Sequence, residues 1–294
     1  MRDYLIATAS TADLTSDYLE EHRIPFIRYT YAVNNAVVED DCRESSRDAV
    51  YKGMRAGDIL QTSMIGEQTY AEFFRGLLET GKDVLYLDMS KKMSTSFANA
   101  LRAAETVRRE FPEQTLYVMD TCCISGGLGL LVKNLVRLKE GGKSFEEAVA
   151  WGEGNKLKIA HRFTVNDLSY LKRGGRVSNS AALIGSILSI KPVLYVPDGG
   201  TLDVVKKAHG RKAALRSIIE STCHDLSLID TEGMEIDILQ ADCRKDAEYV
   251  RDEIRKAFPS VGKIDITGLG VVIGAHCGPG LLTVFYLCSG RRPE

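Results

Sequence analysis

Short apolar runs alternate with amphipathic stretches along the first half of the chain. The runs are rich in β-branched and aromatic residues, and they predict strands over 4–9, 25–31, 83–88 and 114–120. The amphipathic stretches predict helices over 12–22, 47–55, 68–80, 96–110 and 125–140. This alternation predicts right-handed crossovers and a mainly parallel sheet. Ligands of such a sheet are expected beyond the carboxyl ends of its strands, at the loops 60–66, 88–96 and 120–127.

The pattern changes after a predicted helix that extends through Trp151. Strands are then predicted over 159–165, 192–196, 201–206, 235–240, 263–267 and 281–288, and helices over 211–228 and 244–257. A Pro-Asp-Gly-Gly turn at 197–200 joins two of these strands in a hairpin, and 268–275 is also strand-like. We therefore predict an α/β protein with a mainly parallel N-terminal α/β sandwich domain (1–156) and a C-terminal α+β domain (157–294).

Composition excludes several classes of protein. The 294 residues suffice for two domains, and 44% hydrophobic with 27% charged residues is typical of a globular chain. Lysine and arginine number 38 against 40 acidic residues, so the net charge of -2 disfavours nucleic acid as a main partner. No apolar run reaches the ~18 residues of a membrane span, and acidic residues interrupt any signal-peptide core. We expect a cytoplasmic protein without a transmembrane segment.

The cysteines and a glycine-rich turn suggest little chemistry. The 7 cysteines lack a repeated C-x-x-C spacing, which argues against a metal site or a disulfide framework. Cys122 and Cys123 are either a vicinal redox pair or, as we favour, small buried apolar side chains. The turn from Asp120 to Gly129 lacks the pattern of a P-loop or of a dinucleotide fingerprint. Its glycines either form a nucleotide site or, more simply, allow a helix to pack closely on the sheet.

Three other segments could bind an anion. Thr62 and Ser63 lie in a loop, where their hydroxyls either donate to an anion or cap the following helix. The polar segment 90–96 precedes a predicted helix, whose free amides and dipole would favour a carboxylate or phosphate. His276 precedes a Gly-Pro-Gly turn, so it is either a structural histidine or a hydrogen-bond donor at a cleft.

Motifs along nearly the whole chain together resemble the DegV family of fatty-acid-binding proteins. In chain order, they lie at 6–14 (IATASTADL), 62–63 (TS), 90–97 (SKKMSTSF), 120 with 125–129, 163–178 (FTVNDLSYLKRGGRVS), 190–194 (IKPVL) and 276–280 (HCGPG). The D-L-x-Y-L-K-R-G-G-R block is the longest and most specific of them.

The resemblance implies a non-catalytic lipid carrier. Such a protein holds a long-chain fatty acid between its domains and presents the carboxylate to an ATP-binding fatty acid kinase subunit, which makes an acyl phosphate for phospholipid metabolism. By motif position, the residues expected around the carboxylate are Thr62, Ser63, Ser94, Thr95 and His276. The resemblance implies no cofactor and no metal, and at most a transient contact with a membrane surface.

The fatty acid tail requires an apolar tunnel. Leu183, Ile184, Ile187 and Leu188 could line it, although an ordinary core helix would have the same pattern.

The sequence departs from the family pattern at Ala9, Thr95 and His209. None of these changes removes a proposed donor, but Thr95 would narrow the carboxylate pocket. His209 stands in a basic run where a permanent cation is common, which bears on the surface for the kinase.

A second hypothesis comes from a different class of protein. The chain would then be a small-molecule phosphotransferase or hydrolase that uses Asp120 and the glycine-rich turn. It lacks a G-x-S-x-G turn or any other evident nucleophile and base pair, so the carrier hypothesis leads.

Overall fold

The computed structural model describes residues 3–176 and 190–292. The strands among them are β1 (Tyr4–Ala9), β2 (Phe26–Ile27), β3 (Thr30–Val33), β4 (Ala36–Glu39), β5 (Leu60–Thr62), β6 (Asp83–Asp88), β7 (Leu116–Asp120), β8 (Ile159–Thr164), β9 (Ile190–Tyr195), β10 (Asp203–His209), β11 (Glu235–Gln240), β12 (Lys263–Gly268) and β13 (Leu282–Leu287). The α-helices are α1 (Ser16–Glu21), α2 (Glu44–Ala56), α3 (Glu67–Leu78), α4 (Ser96–Glu110), α5 (Gly126–Glu140), α6 (Phe145–Asn155), α7 (Leu168–Arg173), α8 (Arg211–Leu226), α9 (Arg244–Ala257) and α10 (Val271–Cys277). None of these helices combines the length and apolar composition that crossing a membrane demands.

A four-stranded parallel sheet with the order β2-β1-β6-β7 forms the centre of the N-terminal half. All six positions of β6 are buried, because α-helices cover both faces of such a sheet. A six-stranded sheet with the order β10-β9-β8-β13-β11-β12 forms the C-terminal half. Its neighbours are antiparallel except for β11 and β12. This mixed α/β architecture with a second sheet domain confirms the predicted fold class.

Helix α5 lies between the two sheets and contacts strands of both. Gly127 and Gly129 make this close approach feasible. A methyl group on Gly127 would overlap the imidazole of His161 on β8, and one on Gly129 would overlap the carbonyl oxygen of Ala12. The glycine-rich turn therefore serves packing, as the simpler of its two interpretations predicts.

A third, three-stranded antiparallel sheet has the order β4-β3-β5. Its β3–β4 hairpin turns through Asn34 and Asn35, whose φ angles of 50° and 67° are those of a type I′ turn. Thr62, the last residue of β5, pairs with Tyr31 in this sheet. The expectation that loop 60–66 follows a strand of the parallel sheet is therefore wrong.

The segment 268–275 is a second correction. Its Val-Val-Ile run has strand propensity, yet residues 271–277 form α10. The predicted hairpin around 197–200 is present, since β9 and β10 pair antiparallel on either side of it. The change from one sheet to the other falls between β7 and β8, and the division at 156/157 remains a prediction.

Candidate functional site

A cavity of about 190 Å³ opens where the small antiparallel sheet, the loop before α4 and helix α10 meet. Its polar lining residues are Thr62, Ser63, Ser94, Thr95, Arg176 and His276. Its remaining lining is Tyr29, Met64, Met89, Met93, Ile124, Leu171, Leu202, Val272, Ile273 and Cys277. All five residues that the sequence nominated for a carboxylate thus line one cavity, although they come from three separate segments.

Thr62 and His276 meet at the polar end of this cavity. The hydroxyl oxygen of Thr62 and Nε2 of His276 lie 2.8 Å apart, a hydrogen-bond distance. Thr62 ends β5, and His276 lies in the last turn of α10 rather than in a turn after a strand. On its other side the imidazole ring lies close to Gly174. A methyl group added to Gly174 would overlap Nδ1 of His276.

The imidazole of His276 is neutral at neutral pH. Burial lowers its pKa to about 4, and the positive charges of Arg176 and Arg173 act in the same direction. A neutral imidazole carries one N–H donor, so His276 and Thr62 together can offer hydrogen bonds to an anion without a formal charge.

Ser94 and Ser96 hold the loop before α4 against the segment that follows β5. Ser94 donates to the hydroxyl of Ser96 over 3.0 Å, and it accepts from the Ser96 amide over 3.2 Å. Ser96 in turn accepts from the amide of Ile65 over 3.0 Å. Thr62 and Ser94 are half-buried, whereas Ser63 and Thr95 are exposed at the mouth of the cavity.

The apolar side of the cavity continues inward. Ile124, Leu202, Ile273 and Cys277 also line a second space of about 30 Å³. The second space reaches Phe163 of β8 and Phe285 of β13 and so extends to the six-stranded sheet. The predicted tunnel residues Leu183, Ile184, Ile187 and Leu188 lie outside the described residues.

Arg176 and Tyr29 are among the lining residues that were not nominated from the sequence. Arg176 donates through Nε to the carbonyl oxygen of Met93 over 3.3 Å, which brings a cation to the loop of Ser94. The sequence did contain a signal for Arg176, because this residue belongs to the specific K-R-G-G-R block. Tyr29, which is only 2% exposed, stands among ordinary strand residues, and nothing in its sequence context marks it.

Asp120, the centre of the second hypothesis, is not among the residues that line this cavity. Its carboxylate accepts from the amide of Cys122 over 3.1 Å and lies 3.3 Å from the ammonium group of Lys91. Cys123 is fully buried, and burial raises the pKa of its thiol to about 11. The contacts of Asp120 thus organise its own turn and join it to the segment 90–96.

The family to which this chain belongs can be assigned by comparison with known proteins. The family model of the DegV proteins, described as uncharacterised, matches residues 4–289. A DegV domain-containing protein of Clostridium perfringens is 36% identical over 294 residues, which are 100% of both chains. Another, from Streptococcus pyogenes, is 31% identical over 290 residues, covering 98% of this chain and 99% of that protein. The chain belongs to the DegV family.

Solved structures resemble it over the same length. A DegV family protein from Thermus thermophilus, described for its fatty acid binding, superposes with a TM-score of 0.86 at 27% identity and covers 98% of this chain and 100% of its own. A protein from Thermotoga maritima, described as revealing a fatty acid binding function, superposes with a TM-score of 0.81 at 26% identity with the same coverage. These structural relatives bind fatty acids.

Proposed function

We propose that this chain binds a long-chain fatty acid in the cavity and presents its carboxylate to an ATP-binding fatty acid kinase subunit. The observation that carries the proposal is the hydrogen-bonded pair of Thr62 and His276, which lines one cavity with Ser94 and a largely apolar remaining wall. Ligand-binding relatives of the same fold support the identity of the ligand.

The tail supplies most of the affinity in this proposal. About fourteen methylenes at ~0.8 kcal/mol each contribute on the order of 11 kcal/mol before the costs of binding. Each hydrogen bond to the charged head group adds only about 1.5–3 kcal/mol. The head group therefore sets the orientation, with the tail directed toward Ile124 and Ile273.

The polar end suits a carboxylate that must later react. Thr62, Ser94 and His276 are neutral donors, and a tight bidentate pair with a buried arginine would make the carboxylate less nucleophilic. In the kinase reaction a carboxylate oxygen forms a bond to the γ-phosphorus of ATP while the bond to the ADP oxygen breaks. This chain contributes binding and orientation, and the kinase subunit holds the nucleotide.

Native mass spectrometry of the protein as purified from cells tests the ligand. We expect a bound species whose added mass is that of a long-chain fatty acid. A nucleotide or sugar phosphate mass in its place would overturn the proposal.

A second experiment separates a carrier from an enzyme. With ATP, Mg²⁺ and palmitate, the purified chain should make no acyl phosphate until a fatty acid kinase subunit is added. ATP-dependent turnover by the chain alone, persisting after contaminating kinase has been removed, would favour the phosphotransferase hypothesis instead.

A further inference from the structure

Tyr29 carries a buried hydroxyl group without a hydrogen-bond partner among the described residues. The residue is 2% exposed and contributes to the wall of the cavity. Its backbone is held from two sides, since its amide donates to the hydroxyl of Ser10 and its carbonyl accepts from the amide of Asp40. A buried polar group left unpaired costs about 1–3 kcal/mol, so this hydroxyl requires an explanation.

Three other hydroxyl groups lie near the phenol of Tyr29. Those of Ser94, Ser96 and Tyr70 lie close enough to act on its pKa, although none completes a hydrogen bond with it. Tyr70 is already engaged, because it donates to the carboxylate of Asp88 over 2.8 Å. Burial, and secondly the charge of Asp88, raise the pKa of Tyr29, so its proton stays in place at neutral pH.

The hydroxyl of Ser94 donates inward, to the hydroxyl of Ser96. While it does so, it has no proton to offer to a ligand. A hydroxyl group can rotate, however, and each oxygen accepts two hydrogen bonds while it donates one. The hydrogen bond between the two serines can therefore run from Ser96 to Ser94 if another group donates to Ser96.

We propose that an anionic head group in the cavity reverses this pair, so that Tyr29 donates to Ser96, Ser96 to Ser94 and Ser94 to the carboxylate. Tyr29 is thus a positioning residue that acts on the ligand through the two serines. The inference rests on the proposed function, and it adds two hydrogen-bond donors, Tyr29 and Ser96, that act on the ligand through Ser94.

In this reversed arrangement, each of the three hydroxyl groups has a hydrogen-bond partner. Ser96 then accepts from Tyr29 and from the amide of Ile65, and Ser94 accepts from both the hydroxyl and the amide of Ser96. Successive hydrogen bonds polarise one another, so this series of hydrogen bonds makes Ser94 a stronger donor than an isolated serine. The phenol of Tyr29 gains its partner in the same rearrangement that turns the Ser94 proton toward the ligand.

Binding of palmitate and of methyl palmitate to Tyr29→Phe tests the inference. We expect palmitate affinity to fall about fivefold to tenfold, the range of one hydrogen bond in a chain that ends on a charge. The affinity for the ester should change less than twofold, because the ester carries no charge to polarise the chain.

Tyr86→Phe is the matched control. Tyr86 is also fully buried beside Tyr70 and Asp88, and its hydroxyl also lacks a partner among the described residues, but it does not line the cavity. This variant should bind both ligands like the wild type. An equal loss of acid and ester in Tyr29→Phe, or an equal loss of palmitate affinity in both variants, would overturn the inference.

A double-mutant cycle with Ser94→Ala provides the second readout. Since Tyr29 acts through Ser94, the double variant should bind palmitate as weakly as Ser94→Ala alone. Additive losses would mean that Tyr29 acts independently and would contradict the chain. Wild-type protein that binds neither ligand would refute the proposed function itself, whereas normal palmitate binding by Tyr29→Phe would refute only this inference.

Discussion

The ionisation of His276 follows from its position in the cavity wall. Its imidazole is enclosed by Thr62 on one side and by the end of α7 on the other, and two arginines lie near it. Burial and these positive charges both disfavour the protonated ring. Thr62 and His276 therefore present neutral hydrogen-bonding groups to the cavity, and Arg176 adds a positive charge to its wall.

The lowered pKa of His276 makes the stability of the protein depend on pH. In the unfolded chain the imidazole is protonated below about pH 6.5, whereas in the folded protein it stays neutral down to about pH 4. Its contribution to the free energy of unfolding is thus largest above pH 6.5 and is lost as the pH falls toward 4. In chemical denaturation, wild type should lose stability relative to His276→Gln over this window. An NMR titration midpoint near 6.5 in the folded protein would contradict the expectation.

Removal of the Ser94 hydroxyl tests the head group directly. Ser94→Ala should reduce fatty acid affinity by about 1–3 kcal/mol without abolishing binding, because the apolar tail supplies most of the energy. Thr106→Ala is the control, since it removes an exposed hydroxyl from the outer face of α4. Isothermal titration of both variants checks the difference. Unchanged affinity and unchanged acyl phosphate formation in Ser94→Ala would argue against the head-group assignment.

Individual residues differ in how far the sequence could reveal them. Thr62, Ser94 and His276 stand in recognisable motifs, so the resemblance nominated them before their proximity was known. Tyr29 has no such motif. Tyr29 directly precedes β3, and its proximity to Ser94 depends on how this segment and the loop before α4 pack together, for which local sequence carries no signal.

At the scale of elements, the helical conformation of α10 depends on contacts with other parts of the fold. A helix of 7 residues is too short to be stable alone. Arg47 of α2 donates to the carbonyl of Gly268 over 2.7 Å, and the hydroxyl of Tyr51 donates to that of Leu269 over 3.0 Å. These bonds fix the segment before α10 and so the direction of the helix. The β-branched run at its start misled the sequence prediction, because local propensity does not include these contacts.

The packing of α7 against α10 gives a prediction for this pair of helices. Gly174 has φ of -71°, so alanine fits its backbone, but the added methyl group would overlap the imidazole of His276. Gly174→Ala should therefore displace the ring and weaken fatty acid binding, at a packing cost of about 1–3 kcal/mol. Gly154→Ala on α6 is the control, since its added methyl group would meet no atom within 4 Å apart from its chain neighbours and the backbone of its own helix. Equal binding by the two variants would show that the ring tolerates the displacement.

At the scale of the whole molecule, α5 joins the two sheets. Lys133, on this helix, lies 2.7 Å from Asp237 and 2.9 Å from Glu235, both on β11. A single apolar core includes Leu85 of the parallel sheet, Leu131 of α5 and Phe285 of the six-stranded sheet. The sequence predicted two domains from the change of pattern near Trp151. It could not reveal that they share a core, because a helix between two sheets has the same apolar pattern as one that covers a single sheet.

The shared core predicts how the chain unfolds and how a ligand changes its stability. Because α5 packs on both sheets, the two halves should lose structure together, and calorimetry should record one transition.

Palmitate at a free concentration of 100 times Kd should stabilise the folded chain by about 2.7 kcal/mol and raise Tm by roughly 5 °C. The ligand should shift the whole transition, since its cavity is lined from both halves of the chain. Two transitions, of which palmitate moves only one, would show instead that the halves unfold separately.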